Sequence, residues 1–247
     1  MAKGSIRVGI GGWDFDPWRG TFYPDGLAKT KQLDHAARHL TAIEVNATFY
    51  SRQKPATFAK WAAAVPDGFK FSLKASRYSV ARKKLAEGEA SIATFLDQGF
   101  TELGDRLGPI LWQFAATKVF DPDDIAAFLQ LLPATKDGLP LRHALEPRHE
   151  SFRDPAFLAL AKAANAAVVF ADAEDYPCID ADTADFRYAR LQRAVEDCAT
   201  GYDDKALDDW ARAARGWAKA GDAYVFFISG AKVRNPAAAT ALIARLG

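Results

Sequence analysis

Eight short apolar segments recur along the chain, and their spacing constrains the fold more than any other feature. Most are apolar on both faces, and roughly 25 to 40 residues separate most neighbours, which is too far for hairpins and suits helical crossovers between parallel strands. The predicted strands are Ser5 to Ile10, Ala42 to Thr48, Phe69 to Ala75, Pro109 to Phe114, Leu141 to Glu146, Ala166 to Asp172, Asp185 to Gln192 and Ala223 to Ser229. The spacing therefore predicts a parallel sheet.

Apolar residues at helical spacing predict one-sided helices between these strands. They are Phe58, Trp61, Ala62 and Val65 after strand two, Ile92, Phe95, Leu96, Leu103 and Leu107 after strand three, and Leu207, Trp210, Ala211, Ala214, Trp217 and Ala218 after strand seven. Three capping residues followed by proline predict helix starts, at Asp121-Pro122, Asp154-Pro155 and Asn235-Pro236. The acidic stretch Ala173 to Ala184 contains Pro177 and predicts an irregular crossover instead of a helix.

The length of 247 residues permits one large α/β barrel or two small domains. With 49% hydrophobic and 26% charged residues, the composition is that of a globular protein, and no linker divides the chain. Eight strands with helices after seven of them predict one (β/α)₈ TIM-barrel domain over residues 1–247. An open doubly wound sheet is the rival architecture.

Charge and cysteine content narrow the class of protein further. Lys and Arg number 32 against 31 Asp and Glu, so we expect no global attraction to nucleic acid or membranes and do not predict either as a partner. Cys178 and Cys198 are too few for a disulfide framework, which favours a reducing compartment. Met1 to Arg7 shows no signal peptide, and the longest apolar runs are too short to cross a membrane. We therefore expect a cytoplasmic protein.

Polar side chains gather at the carboxyl ends of the predicted strands, where barrels of this kind carry their functional residues. Because side chains alternate along a strand, Glu44 and Asn46 share one face of strand two, and Ser72 and Lys74 share one face of strand three. On strands four to seven the same inward face is predicted for Gln113, Glu146, Asp172, Arg190 and Gln192. The set is either a functional mouth or an ion network that ties the strands together.

Loops at the same end add further candidates. Arg77, Arg148 and His149 follow strands three and five, and five cations without an acid lie between Lys74 and Lys84. The loop from Gly11 to Lys29 is rich in rings, which either plug the barrel top or stack on a sugar or base. Both interpretations stay open.

Metal chemistry has weak support from the histidines. His35 and His39 are predicted on the first helix, His143 on the outer face of strand five, and His149 alone near the mouth. No cofactor is predicted. The alternative is a magnesium or manganese ion with oxygen ligands from Glu44, Glu146 and Asp172.

Six motifs then resemble a known family in order and spacing over nearly the whole chain. They are GIGGW at Gly9 to Trp13, PWRG with FYP at Pro17 to Pro24, EVNATFY at Glu44 to Tyr50, FKFSLKAS at Phe69 to Ser76, LGPILWQF at Leu107 to Phe114 and HALEPRHESFRDP at His143 to Pro155. The chain resembles the YecE-like family of unknown function, domain of unknown function 72 (DUF 72). The resemblance implies a TIM barrel and a loose relation to sugar isomerases, without an established activity. It points to Trp13, Glu44, Asn46, Thr48, Tyr50, Lys74, Gln113, Glu146, Arg148, His149 and Arg190.

Two segments depart from the family pattern. Strand seven of the family ends in arginine, leucine, histidine and glycine, whereas Gln192 stands here at the histidine position. Strand eight of the family ends in an aromatic run followed by two asparagines and an aspartate, and Phe226 to Lys232 lacks that cluster. If those groups bind substrate, this member has altered or lost chemistry.

These residues predict an enzyme that acts on a small sugar or sugar phosphate by proton transfer next to a carbonyl. Glu44 or Glu146 would be the base, with a pKa raised by burial or like charge, and Lys74 would stabilise the enolate oxygen. Arg148 and Arg190 would clamp an anion. The other predicted substrate-binding residues are Trp13, Asn46, Tyr50, Gln113, His149 and Asp172. The alternative is a non-catalytic binding protein for a phosphate-bearing ligand or nucleic acid, suggested by the Lys74 to Lys84 cations.

Overall fold

Parallel strands follow one another around a nearly closed barrel in the computed structural model, which describes residues 4–228 and 230–247. The strands are β1 (Ile6–Gly11), β2 (Ala42–Val45), β3 (Lys70–Lys74), β4 (Leu107–Gln113), β5 (His143–Glu146), β6 in two pieces (Ala167–Val168 and Phe170–Asp172), β7 (Phe186–Leu191) and β8 (Asp222–Phe227). β8 pairs with β1, and the two pieces of β6 pair with β5 and β7 respectively, which carries the ring round. The predicted barrel is confirmed; Ser229 of the predicted eighth strand lies outside the described residues.

Helices cover the outside of the barrel. They are α1 (Gln32–His39), α2 (Ala47–Tyr50), α3 (Pro55–Ala63), α4 (Arg77–Val80), α5 (Glu89–Leu96), α6 (Pro122–Gln130), α7 (Pro155–Ala163), α8 (Asp204–Trp217) and α9 (Asn235–Leu246). A small antiparallel pair, Thr135–Lys136 with Leu139–Pro140, precedes β5. Residues 173–185, all of them described, contain no helix, so the irregular crossover after β6 is confirmed.

Two of the three predicted helix caps are confirmed. The Asp121 carboxylate accepts from the backbone N–H groups of Asp123 and Asp124, and that of Asp154 accepts from Ala156. The third prediction is wrong, because α9 already includes Asn235. A 3₁₀ turn, Lys232–Arg234, precedes it and runs directly into the helix with Asn235 in helical geometry.

Two predicted elements extend too far. Strand two ends at Val45, because Asn46 adopts helical dihedrals (φ −86°) and begins the turn of α2. The helix after β3 ends at Leu96 rather than Leu107, since Gly99 takes a left-handed conformation (φ +88°) and a 3₁₀ segment, Phe100–Arg106, leads into β4. In both places the backbone conformation changes at a single residue, Asn46 or Gly99, and the spacing of apolar residues does not predict such a change.

Alternation along the strands produces an inner and an outer apolar layer. The outer layer holds large rings such as Phe71 and Trp112 against the helices. The inner layer is a smaller cluster: Ala42, Leu111, Ala144, Ala167, Val169, Ala171, Phe186, Tyr188, Tyr224, Phe226 and Ile228. Of the helices in the described residues, none combines the length and apolar character that a bilayer span requires.

Candidate functional site

The carboxyl ends of β2, β5 and β7 bring two glutamates and one arginine together inside the barrel. Arg190 donates through Nε and Nη2 to the two carboxylate oxygens of Glu44 at 3.0 and 3.1 Å, and through Nη1 to Glu146 Oε1 at 2.6 Å. The three side chains are at most 3% exposed. A planar guanidinium can serve two carboxylates at once in this way, so Arg190 holds both acids.

Neutral side chains complete the hydrogen bonding of these carboxylates. The Tyr188 hydroxyl donates to Glu44 Oε2 at 2.9 Å, and Gln113 Nε2 donates to Glu146 Oε2 at 2.5 Å. Ser72 Oγ lies 2.8 Å from the Tyr188 oxygen. Burial raises the pKa of Tyr188, which keeps its proton on the hydroxyl. Our sequence reasoning missed Tyr188, although it shares the inward face of β7 with Arg190.

The pKa of Glu146 is shifted in the direction opposite to the prediction. Burial raises its pKa, but the guanidiniums of Arg190 and Arg148 and the Gln113 amide lower it more, so the net pKa lies below the ordinary value. The expectation that burial would raise the pKa of Glu146 is therefore wrong, because its partners outweigh desolvation. A carboxylate held in this state is suited to orienting the guanidiniums around it.

Lys74 ends β3 and faces the same mouth without an acidic partner. Its side chain is buried, and Nζ lies 4.2 Å from the centre of the Phe49 ring. No carboxylate oxygen of the described residues lies within 4.0 Å of it, and Thr48 Oγ1 fixes its backbone carbonyl at 2.7 Å. Burial lowers the pKa of Lys74 to about 8, and Arg190 and Arg148 act in the same direction against the opposing effect of Glu44. The charged form of this amine therefore still predominates near physiological pH, with a neutral fraction larger than that of an ordinary lysine.

Arg148 follows β5, and its guanidinium N–H groups are only partly used in hydrogen bonds to the protein. Its Nη2 is 3.5 Å from Glu146 Oε1, its Nη1 is 3.4 Å from the Tyr176 hydroxyl, and the guanidinium lies 4.2 Å from the centre of the Tyr176 ring. Nε is buried and has no hydrogen-bond partner among residues 4–228 and 230–247. Both hydrogen-bond distances are long, so the guanidinium is held in place but not saturated.

A cavity of about 740 Å³ opens above these residues. Four cations and one acid are found among the described residues that line it, Lys74, Arg148, Arg190 and Lys232 with Asp14, and the two glutamates beneath offset part of the positive charge. The remaining lining is Gly11, Gly12, Trp13, Val45, Asn46, Ala47, Phe49, Tyr50, Gln113, Ile228 and Asn235. This cavity favours an anionic, hydrogen-bonding ligand of small size.

The ring-rich loop after β1 is largely a packing element. Trp18 and Tyr23 are completely buried, the Trp18 indole N–H donates to the Lys232 carbonyl at 3.0 Å, and the Tyr23 hydroxyl donates to the Trp13 carbonyl at 2.6 Å. Trp13 differs, because it lines the cavity while packing edge-on against Trp61. Most rings of the loop therefore pack in the outer apolar layer, and Trp13 is presented to the cavity.

Asp172 does not reach the mouth. In β6 the small Ala171 belongs to the inner layer, while the Phe170 ring packs outward against Trp210 and Trp217 of α8. Asp172 shares the outward side and lies 3.9 Å from Arg193. The inward prediction for Asp172 is wrong, because the bulky ring of Phe170 sets the opposite phase of the pleat.

His149 and Gln192 lie beside the cavity rather than in its lining. The Nδ1 atom of His149 accepts from the Ser151 backbone N–H at 3.2 Å and so caps the turn Glu150–Arg153. Gln192 lines a neighbouring cavity of about 430 Å³ on the other side of Arg148, together with Tyr176 and Arg193. A structural role thus accounts for the His149 ring.

The three carboxylates considered for a metal do not form one ligand set. Glu44 and Glu146 are bonded to Arg190, and Asp172 faces α8. Within the described part of the chain, no three His, Cys, Asp or Glu side chains are grouped in a way that could hold a metal ion. Cys178 and Cys198 are free thiols, and burial raises the pKa of Cys178.

Comparisons with known proteins agree with the resemblance seen in the sequence. The sequence model described as "Protein of unknown function DUF72" matches residues 7–247. UPF0759 protein YunF from Bacillus subtilis (strain 168) is 34% identical over 71 residues, or 28% of this chain, and the match spans only 24% of the length of that relative.

Solved structures share the fold over the full length. A DUF72 family protein from Thermotoga maritima MSB8 is 20% identical, with a TM-score of 0.74 and 97% of both chains covered. The 3-keto-D-glucoside 4-epimerase YcjR from E. coli is 16% identical, with a TM-score of 0.54 and 99% of both chains covered. At these identities the comparison shows a common barrel.

Proposed function

This chain belongs to the DUF72 family, and from that premise we propose that its barrel mouth binds a small anionic sugar or sugar phosphate and acts on it by proton transfer next to a carbonyl. The observation that carries the proposal is Arg148, a guanidinium that lines the cavity and whose Nη1 and Nη2 contacts, 3.4 Å to the Tyr176 hydroxyl and 3.5 Å to Glu146 Oε1, are long. Loosely bonded guanidinium donors at a cavity wall are suited to an anionic ligand.

The second support is that some charged groups of the mouth are paired with one another and others are not. Arg190 is committed to Glu44 and Glu146, so the cations of the lining left for a ligand are Arg148, Lys74 and Lys232. A phosphate or carboxylate would accept from Arg148 in the paired geometry that guanidiniums favour. Lys74 would then lie across the cavity from it, near the carbonyl end of the ligand.

Lys74 would stabilise the negative charge that develops on a carbonyl oxygen when a neighbouring carbon loses its proton. The prediction of Glu44 or Glu146 as the base stays a prediction, and the lowered pKa of Glu146 makes it a weak one. We assign both glutamates to positioning Arg190. The name of YcjR, a 3-keto-D-glucoside 4-epimerase, describes a keto sugar as the substrate of a related barrel.

Arg148→Met tests the anion site. We expect wild type to bind members of a sugar-phosphate panel, and the variant to lose about tenfold or more in affinity because a charge-assisted pair is removed. Isothermal titration calorimetry with each sugar phosphate and its neutral parent sugar measures the loss. Arg212→Met is the matched control, since Arg212 is exposed and pairs with Asp209 on α8. Equal affinity for phosphorylated and neutral sugars, or no binding by wild type, would refute the proposal.

Catalysis is tested separately with Lys74→Met. Exchange of the proton next to the carbonyl for deuterium, followed by NMR on each ligand that binds, should be seen with wild type and lost with Lys74→Met. If the wild type binds a ligand but does not exchange its proton, the protein is a binding protein and the proposal of an enzyme is refuted.

Nucleic-acid binding is the second candidate, and one surface favours it. A cleft of about 740 Å³ after β3 is lined by Arg82, Lys83 and Lys84, the last two of them exposed. Binding through several phosphates would weaken steeply between low and moderate salt, whereas a single small-ligand site would respond mildly. Absence of a gel shift at low salt would eliminate this candidate.

A further inference from the structure

Lys74 is an ammonium group that the surrounding structure does not neutralise. Two buried carboxylates share its mouth, yet Arg190 occupies both oxygens of Glu44 and one of Glu146, and Gln113 occupies the other. The Nζ atom contacts the face of Phe49 instead, a weaker partner than a carboxylate. The amine is therefore both desolvated and free of an acid that would hold its proton.

The other buried lysine of the described residues, Lys118, has hydrogen-bond partners, and so does the half-buried Lys70. Lys118 donates to Asp124 at 2.5 Å and to the Lys83 carbonyl at 3.0 Å. Lys70 lies on the same strand and the same face as Lys74, at the opposite end of the barrel, and donates to the Asp105 carbonyl. Lys74 combines burial, an amine without an ion pair and a position in the cavity lining, whereas Lys232 in the same lining is only half-buried and lies over the Phe15 ring.

We propose that Lys74 is a covalent catalyst that captures the carbonyl carbon of the bound anion as a protonated imine. This inference rests on the proposed function, because the ligand is the same carbonyl-bearing anion held by Arg148. The ammonium first releases a proton to solvent, and the lone pair of the neutral Nζ attacks the carbonyl carbon. A C–N bond forms, and the C=O bond opens to a carbinolamine whose oxygen takes one proton from Nζ and a second one back from solvent. The oxygen then leaves as water. Starting from the lysine ammonium and the carbonyl, the products are the protonated imine and one water, so atoms and charge balance.

The imine also resolves a difficulty in the proton transfer. A protonated imine withdraws electrons more strongly than a neutral carbonyl, and so acidifies the neighbouring C–H bond. A base as weak as water then suffices. Hydrolysis with one water returns the lysine and the carbonyl compound.

Reductive trapping tests the inference directly on the intact protein. Glyoxylate, a small anionic aldehyde, is incubated with the protein and sodium cyanoborohydride, and adducts are located by peptide mass spectrometry. At pH 8 an amine with the Lys74 pKa is about half neutral and an ordinary lysine well under one per cent, so Lys74 should be labelled about tenfold or more faster than exposed lysines. The rate at Lys74 should rise with pH and level off above about 8.

Three matched comparisons decide the outcome. Lys74→Arg keeps the charge and should abolish the fast label, whereas Lys70→Arg should leave it unchanged. The neutral aldehyde glycolaldehyde should label Lys74 more slowly than glyoxylate does, because Arg148 no longer assists. Labelling spread evenly over the lysines, or equal at Lys70 and Lys74, would overturn the proposal of an imine at Lys74. This result does not depend on whether Lys74→Arg folds, because the labelled positions are mapped in the wild-type protein. The proposed function and this inference can fail separately. If Arg148→Met loses sugar-phosphate binding but the wild type forms no adduct at Lys74, the proposed function stands and the imine alone is refuted.

Discussion

Arg190 is the residue on which the arrangement of the mouth depends. It lies on β7 and neutralises two buried carboxylates that come from β2 and β5. The guanidinium pairs with groups more than 40 positions away in sequence, Glu146 at a separation of 44 and Glu44 at 146. One side chain therefore holds three strands together at their functional end.

Removing the charge of Arg190 should strongly destabilise the fold. We expect Arg190→Met to lower the free energy of unfolding by about 3 to 5 kcal/mol, because two carboxylates are left buried without a cation. Urea unfolding followed by circular dichroism measures it. Arg187→Met on the same strand is the control, since Arg187, although buried itself, points away from the barrel interior and pairs with the carboxylates of Asp180 and Asp182, which stay exposed to water when the arginine is removed. Adding Glu44→Gln to Arg190→Met should recover part of the loss; a loss below about 1 kcal/mol in the single variant would show that Arg190 does not stabilise the acids.

At the scale of the element, the start of α8 contributes to stability and lies outside the cavity lining. α8 is the longest helix of the described chain, and its N-cap is Asp203, whose carboxylate accepts from the Ala206 backbone N–H at 2.7 Å. Its apolar face, with Leu207 and Ala211, packs on the outside of the barrel. Loss of this cap should therefore change stability and leave ligand binding intact.

Asp203→Ala should lower the free energy of unfolding by about 1 kcal/mol, the usual cost of losing an N-cap. Thermal and urea unfolding measure the change, and calorimetry with the tightest sugar phosphate should show affinity within about twofold of wild type. Lys205→Ala is the control, because its ion pair with Asp209 is exposed. A tenfold loss of ligand affinity in Asp203→Ala would mean that α8 is coupled to the mouth.

At the scale of the whole molecule, charged groups are distributed between the two ends of the barrel. The mouth holds Arg190 with its glutamates, and the opposite end holds Arg142, which donates to Asp222 at 2.6 Å. His143 lies between barrel and helices, where it accepts from the Trp112 indole at 3.1 Å and bonds the Pro133 carbonyl at 2.9 Å. Burial lowers the pKa of His143, and it also lowers that of His35.

Stability should accordingly fall with acid in two stages. Because the folded pKa of His143 is below the unfolded value of 6.5, the unfolded chain takes up more protons and stability declines as pH falls below about 6.5. Burial raises the pKa of Glu146 and of Asp222, but the bonded arginines lower it by more, so the net pKa of each lies below its ordinary value. The unfolded chain therefore binds more protons in acid, and stability falls again below about pH 4.5. Urea midpoints measured from pH 7 to 3 test this. His143→Gln should flatten the first stage, and wild-type stability unchanged between pH 7 and 5 would contradict the prediction.

Local patterns in the chain were enough to predict the barrel, the irregular crossover after β6 and the inward placement of Glu44, Lys74, Glu146 and Arg190. Strand spacing and two-residue alternation are properties of neighbouring residues, so they can be read without knowing the partners. The family resemblance is confirmed by the match over residues 7–247.

Only the tertiary structure decided which charges meet. The stagger between strands gives both glutamates to Arg190 and leaves Lys74 against the Phe49 ring, while the phase of the short, interrupted β6 turns Asp172 towards α8. These outcomes depend on distances between segments far apart in the chain and on the bulk of neighbouring side chains such as Phe170. Alternation along a single strand contains no information about either, which is why the residues of the mouth could be named from the sequence but their pairing and charge states could not.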